Sequence, residues 1–278
     1  EFNSVPVMVP SANWGWQNSP VWNTAFVFTA EALLRFCDHK VFVKSIYENL
    51  VKFSKNQIKA LEDNGWAWGT RGLADWVAPV NCENEEVDPN TSEGAEICGT
   101  GFVYKMLESM IYISDVLGIK ENNKIFEDAR KNIYRAFNEK FFNKEKNIYE
   151  TLFWEQRGKR QKYRQTSNLV PLAFGLVPEE YKKAVFSNLV DDIKCKGYHL
   201  DTGCIGTKFI LPVLLDNGDY ATAYKVLTQT TYPSWGHWLS FGDTTAWESW
   251  ETTTRSKDHY FLATYDEILF SHFAGVCD

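Results

Sequence analysis

The chain has 278 residues, 44% of them hydrophobic and 15% aromatic, with a net charge of −7. That is ample apolar material for a large buried core, which excludes a disordered chain, and an acidic balance without clustered Lys or Arg excludes nucleic acid and anionic membrane surfaces as partners. The longest apolar run, Gly101 to Leu117, is broken by Lys105, Glu108 and Asp115, so a soluble protein with no bilayer span is expected.

In chain order, apolar residues at three- and four-residue spacing predict amphipathic helices over Val21 to His39, Val41 to Leu61, Glu96 to Leu117 and Asn123 to Phe142. The pattern resumes over Asn168 to Leu176, Glu179 to Ile193, Lys208 to Asp216 and Tyr220 to Thr228. Gly118 suits the end of the third helix. Pro178 followed by Glu179 and Glu180 suits a first turn. Thr91 and Ser92, ahead of Glu93 and Glu96, suit a cap for the helix that begins there. Short β pieces are expected near Asn147 to Trp154 and Trp238 to Phe241, with no alternation long enough for a sheet core. Helix pairs joined by long aromatic loops, without a repeat of fixed period, predict an all-α toroid of α-hairpins, an (α/α)6 barrel. A ring of six hairpins needs twelve helices and the periodicity supplies about nine or ten. The missing hairpin would precede residue 1, so one toroid domain, incomplete at its N-terminus, is expected over 1–278.

Six cysteines, Cys37, Cys82, Cys98, Cys195, Cys204 and Cys277, have no Cys-x-x-Cys spacing and read as buried free thiols. No Cys or His pair has ligand spacing, so neither a metal nor a cofactor is expected. No leader or address is readable at the N-terminus. Eleven Trp stand out, several of them in Gly-, Pro- and Asn-rich segments: Trp14, Trp16, Trp66, Trp68, Trp76 and Trp235. Exposed loop aromatics of this kind suit stacking against the apolar faces of sugar rings.

The densest stretch is YPSWGHWLSFGDTTAWESWETTTRSKDH, Tyr232 to His259. Within it Glu248 stands between Trp247 and Trp250, after Gly242, Asp243, Thr244 and Thr245. Aromatic walls desolvate such a carboxylate and hydroxyls orient it, as a general base that activates water requires. A capping or salt-bridged Glu at a helix start is the bland alternative. The acidic run CENEEVDPNTSEGAE, Cys82 to Glu96, offers Glu83, Glu85, Glu86, Asp88, Glu93 and Glu96; its spacing fits no EF-hand, and it reads as a solvated loop or a substitute acid.

His199 to Trp250, HLDTGCIGTKFILPVLLDNGDYATAYKVLTQTTYPSWGHWLSFGDTTAWESW, is similar to the C-terminal half of the catalytic domain of glycoside hydrolase family 78, the bacterial-type α-L-rhamnosidases. Downstream, SKDHYFLATYDEILFSHFAGV resembles that family's closing Ser-x-Asn-His segment and final helix. Upstream, GLADWVAP resembles its Gly-Asp-Trp loop and RQTSNLVPLAFGLVP its Gln-Thr helix. The resemblance implies an (α/α)6 barrel that hydrolyses terminal α-L-rhamnosides with inversion, acting on a rhamnose-containing oligosaccharide or glycoside. It implies Glu248 as general base, His259 as a sugar contact, and Trp22, Asp75 and Trp76 as pocket residues; Trp235 is added as a sugar-stacking candidate. This sequence departs from the family pattern at Thr24, where an acid is usual, at Asp258 in place of Asn, and in carrying nothing that matches the family's acid-bearing segment. The expectation is therefore a part of a larger enzyme, complemented by an N-terminal segment or flanking β-domains. Two other readings stand beside it: a non-catalytic carbohydrate-binding relative, and another (α/α)6 hydrolase.

Overall fold

The computed structural model describes residues 5–11, 15, 17–69, 72–79, 94–151, 154–156, 159–161 and 163–276. Trp14, Trp16, Cys82, Glu83, Glu85, Glu86, Asp88, Thr91, Ser92, Glu93 and Cys277 lie outside them. The chain divides into two compact units, the first formed by Glu1–Ala74 and Gly94–Phe142, the second by Asp75–Glu93 and Asn143–Asp278. Both are built from helices, and no described helix is long and apolar enough to cross a membrane.

The first unit holds α1 Pro20–Asn23, α2 Ala25–Cys37, α3 Lys40–Glu62, α4 Ala95–Leu117 and α5 Asn123–Phe141. The single helix expected from Val21 is two, and at the junction the Thr24 hydroxyl and amide share the Pro20 carbonyl at 2.6 and 3.0 Å. On α3, Val43, Tyr47, Leu50, Ser54, Ile58 and Leu61 follow helical spacing and are all buried. Helix α4 is apolar on most of its circumference because α2, α3 and α5 all pack against it. Each fully buried Leu, Ile or Met in this core contributes roughly 1.5–3 kcal/mol. At its end Gly118 turns left-handed (φ 71°) and Ile119 N–H reaches back to Ser114 O at 2.9 Å, a closure that a side chain at Gly118 would strain. At its start the residue before the helix is Gly94, and Thr91 and Ser92, anticipated as its cap, lie outside the described residues. Glu96 is no free acid: it is buried and pairs with Lys140 at 2.8 Å.

Trp66 and Trp68, expected as exposed loop aromatics, are half-buried against this core. A Cβ on Gly99 would fall 2.8 Å from the Trp68 ring, and the Trp68 amide is tied to the Thr100 hydroxyl at 2.8 Å, so the ring has little freedom to retreat. Gly99→Ala is expected to cost about 1–3 kcal/mol through overpacking. A thermal midpoint equal to wild type would refute that tightness.

The second unit holds α6 Gln165–Ala173, α7 Glu179–Cys195, α8 Cys204–Asp216, α9 Tyr220–Leu227 and α10 Trp235–Leu239. A 3-10 turn, Tyr260–Leu262, precedes α11 Asp266–Ile268, which runs on as a π turn over Leu269–Phe273. Short strands occur at Phe142–Asn143 and Ile148–Tyr149, and Trp154–Gln156 pairs antiparallel with Lys159–Gln161. Helices α6 and α8 begin earlier than apolar periodicity indicates. Their first turns are polar or glycine-bearing yet buried: Gln165, Thr166, Ser167 and Asn168 on α6, Cys204, Gly206 and Thr207 on α8. The strand anticipated at Trp238 is helical, because the Ser234 hydroxyl accepts the His237 amide at 3.1 Å and starts α10. Not all described thiols are buried. Cys98 and Cys204 are; Cys37 and Cys195, the last residues of α2 and α7, face solvent.

Candidate functional site

Helix α10 and the segment after it form an indole stack in the second unit. Trp238 lies between Trp247 and Trp250, with ring centroids 5.8 and 5.0 Å away and planes within 26° and 24° of parallel. Trp247 and Trp250 are fully buried, so the backbone between them is fixed at both ends. Glu248 stands in that interval. Its side chain keeps 16% of its surface exposed and contacts Arg255 Nη2 through Oε1 at 3.3 Å.

The leg carrying Glu248 is clamped to the leg carrying His259 at three points. Glu248 N–H donates to Ser256 O (3.0 Å), His259 N–H donates to Ala246 O (2.8 Å), and the Thr245 hydroxyl donates to Lys257 O. The two residues singled out by sequence therefore sit on one paired loop. His259 Nδ1 accepts the Phe261 amide at 3.3 Å, which leaves Nε2 as the proton-bearing nitrogen. A neutral imidazole in that tautomer can donate to a sugar hydroxyl. Trp235 is not an exposed loop aromatic. It opens α10, is 7% exposed, gives its indole N–H to Leu262 O (2.6 Å) and meets Trp250 edge-on at 6.1 Å. With Trp238, Asp243, Thr244, Thr245 and Tyr265 it lines a cleft of about 340 Å³.

Asp75 is fully buried, and both of its oxygens are occupied by protein donors. Oδ2 accepts the Thr166 hydroxyl (2.5 Å) and Gly203 N–H (2.9 Å); Oδ1 accepts Ile205 N–H (3.0 Å) and Gly206 N–H (2.9 Å). Burial pushes its carboxyl above the ordinary range, while those bonds and the Arg164 charge pull it back. In this arrangement it shows no lone pair to a ligand arriving from solvent. Trp76, next in the chain and half-buried, accepts Cys204 N–H on its carbonyl at 2.8 Å. Trp250 reaches the same turn, its Nε1–H donating to Thr202 O at 2.9 Å.

Behind this turn lies a charge network that sequence reading did not anticipate. Arg164, 1% exposed, donates to Asp201 Oδ1 at 2.8 Å; Lys196 donates to Asp201 Oδ2 at 3.0 Å and to both Asp192 oxygens at 2.8 and 2.9 Å. Burial and the carboxylates of Asp192 and Asp201 hold the Tyr163 phenol well above its usual range. The close packing of the turn itself had a sequence signal, the glycine pair in DTGCIGT: a Cβ on Gly203 would lie 2.3 Å from the Asp75 and Trp76 carbonyls, and one on Gly206 2.0 Å from Thr166 Oγ1.

The second unit thus connects Asp75, Trp76, Trp235, Glu248 and His259 through the 202–206 turn, Trp250 and the paired legs. Trp22 belongs to the first unit, half-buried on α1. Among the described residues no group of three His, Cys, Asp or Glu is placed to hold a metal ion.

The model of the bacterial alpha-L-rhamnosidase 6 hairpin glycosidase domain family matches residues 2–273. A protein described as alpha-L-rhamnosidase from Formosa agariphila is 30% identical over 216 residues, covering 73% of this chain and 22% of its own length. Another of that description, from Alteromonas sp. (strain LOR), is 26% identical over 284 residues, covering 98% of this chain and 29% of its own. The solved alpha-L-rhamnosidase from Dictyoglumus thermophilum superimposes with a TM-score of 0.84 at 28% identity, covering 98% of this chain and 29% of that one. The Streptomyces avermitilis alpha-L-rhamnosidase complexed with L-rhamnose does so with a TM-score of 0.72 at 24% identity, over 91% of this chain and 23% of that one. The chain spans less than a third of the length of each of these relatives.

Proposed function

The chain belongs to the family of bacterial alpha-L-rhamnosidase six-hairpin glycosidase domains, and on that premise we propose that it serves the hydrolysis of terminal α-L-rhamnosides with inversion of configuration. Glu248 acts as general base. It takes a proton from a water whose oxygen attacks the anomeric carbon from the face opposite the aglycone, while an acid of raised pKa protonates the departing glycosidic oxygen. His259 donates from Nε2 to a sugar hydroxyl, and Trp76 and Trp235 offer aromatic walls to the ring. The observation that carries this reading is the setting of Glu248, a partly exposed carboxylate on a loop pinned by two fully buried indoles.

The two carboxyl groups of an inverting site stand about 6.5–9.5 Å apart with water between base and sugar. The family's acid-bearing segment has no counterpart in this sequence. We assign the acid to the remainder of a larger or complemented enzyme, a reading supported by the fraction of each relative that this chain spans. The toroid domain over residues 1–278 is then the part that holds base and sugar.

The test follows release of rhamnose from an α-L-rhamnoside by proton NMR, with this chain alone and with the chain joined to an acid-bearing segment of a relative. The joined form is expected to release β-L-rhamnose first and the chain alone to be slow or inactive. First release of α-L-rhamnose would refute inversion. Fast turnover by the chain alone would refute the external acid and direct attention to Glu83, Glu85, Glu86 and Asp88.

A further inference from the structure

The Asp75 carboxylate is the fastening point of a turn that holds the Trp76 backbone and the Trp250 indole. Its four donors come from the helix α6 hydroxyl of Thr166 and from the amides of Gly203, Ile205 and Gly206 at the start of α8. They fix the turn 202–206 against residues 75–76. From that turn two aromatics are hung by single bonds: Trp76 through its carbonyl on Cys204 N–H at 2.8 Å, Trp250 through its indole N–H on Thr202 O at 2.9 Å. Trp250 is two residues beyond Glu248 and stacks on Trp238. The close approach is built in, since Gly203 leaves no room for a Cβ against residues 75–76 and Gly206 none against Thr166.

We infer that Asp75 is a positioning residue: it sets the 202–206 turn and through it the Trp76 main chain and the Trp250 indole, so that the loop carrying Glu248 is held in register without any contact between Asp75 and the sugar. This rests on the reading of Glu248 as general base. A carboxylate bonded on both oxygens and without exposed surface has no valence left for a ligand, whereas it has four grips on the turn. A sugar-binding Asp would act on affinity. A positioning Asp acts on the geometry of the reacting groups, where displacements near 1 Å cost about 10²-fold in rate.

The test labels the full chain with 5-fluorotryptophan and assigns the fluorine signals of Trp76, Trp250 and Trp66 by single Trp→Phe substitutions. Asp75→Asn keeps the size of the group but turns one oxygen into a donor facing Gly203 N–H and Thr166. Its Trp76 and Trp250 signals are expected to shift or broaden while Trp66, in the first unit, stays in place. In the acid-complemented form kcat on an α-L-rhamnoside should fall about 10- to 100-fold with KM little changed. Leu50→Ala, a core truncation in the first unit, controls for lost stability and should leave kcat near wild type. Unmoved Trp76 and Trp250 signals, or a raised KM with kcat intact, would overturn the inference. Where Asp75→Asn does not fold, Thr166→Val removes one donor only and is expected to move the same two signals. Should the complemented wild type not cleave rhamnosides at all, the functional reading fails, and the fluorine spectra still decide whether Asp75 positions the indoles.

Discussion

Glu248→Gln in the complemented enzyme is expected to lower kcat on α-L-rhamnosides by about 10²- to 10⁴-fold, because an amide keeps the size and polarity of the group and loses its basicity. Rhamnose affinity should change little. The loop is held by the Trp247 and Trp250 indoles and by the Glu248 amide on Ser256 O, none of which needs the carboxylate. The side chain's partner, Arg255, is 79% exposed, so losing that contact costs little stability. Steady-state kinetics together with rhamnose binding by calorimetry separate the two quantities. A variant that retained wild-type kcat would sink the assignment of Glu248 as base, and one that lost rhamnose binding with kcat intact would recast it as a sugar ligand.

Asp201→Ala is expected to produce the largest loss of stability, about 3–5 kcal/mol, because it strands a buried guanidinium. Arg164 is 1% exposed, and among the described residues its hydrogen-bond partner besides Asp201 is the Pro79 carbonyl at 3.5 Å, too long to compensate. Lys196 is less affected, since Asp192 still holds it at 2.8 Å. The urea midpoint is the readout. The double variant Arg164→Met, Asp201→Leu should recover most of the loss, because an apolar pair of similar volume carries no desolvation cost. A single variant as stable as wild type would mean that water reaches Arg164.

Much of the helical scaffold was legible because burial is periodic where side chains are apolar. Helix α3 is the clear case, with Val43, Tyr47, Leu50, Ser54, Ile58 and Leu61 on one face. The same logic explains the misses. The first turn of α6 is made of Gln165, Thr166, Ser167 and Asn168, four polar residues that are buried because they bond to one another's surroundings, and hydropathy reads them as surface. At the site, the sequence marked Glu248 through its aromatic and hydroxyl neighbours, and His259 only through the resemblance to the family's closing segment. It could not show that their two legs bond back to back, since that pairing has no alternation to betray it. Asp75 was visible as an acid before a tryptophan, and through the resemblance to a Gly-Asp-Trp loop as a pocket residue. What it holds lies more than a hundred residues away, beyond the reach of any local pattern.

That separation also has a meaning in time. Asp75 and the Gly203 amide it binds are 128 positions apart, so on a ribosome adding roughly 5–20 residues per second the turn carrying Asp75 and Trp76 emerges on the order of ten seconds before its partner. Throughout that interval its carboxylate stays hydrated and its indole uncommitted. The entropy of closing so long a loop grows only as the logarithm of its length, so the delay adds little to the equilibrium cost. It does order events: α3 and α4 can pack while synthesis continues, whereas the anchor that sets the Trp250 indole closes only after α8 has been made.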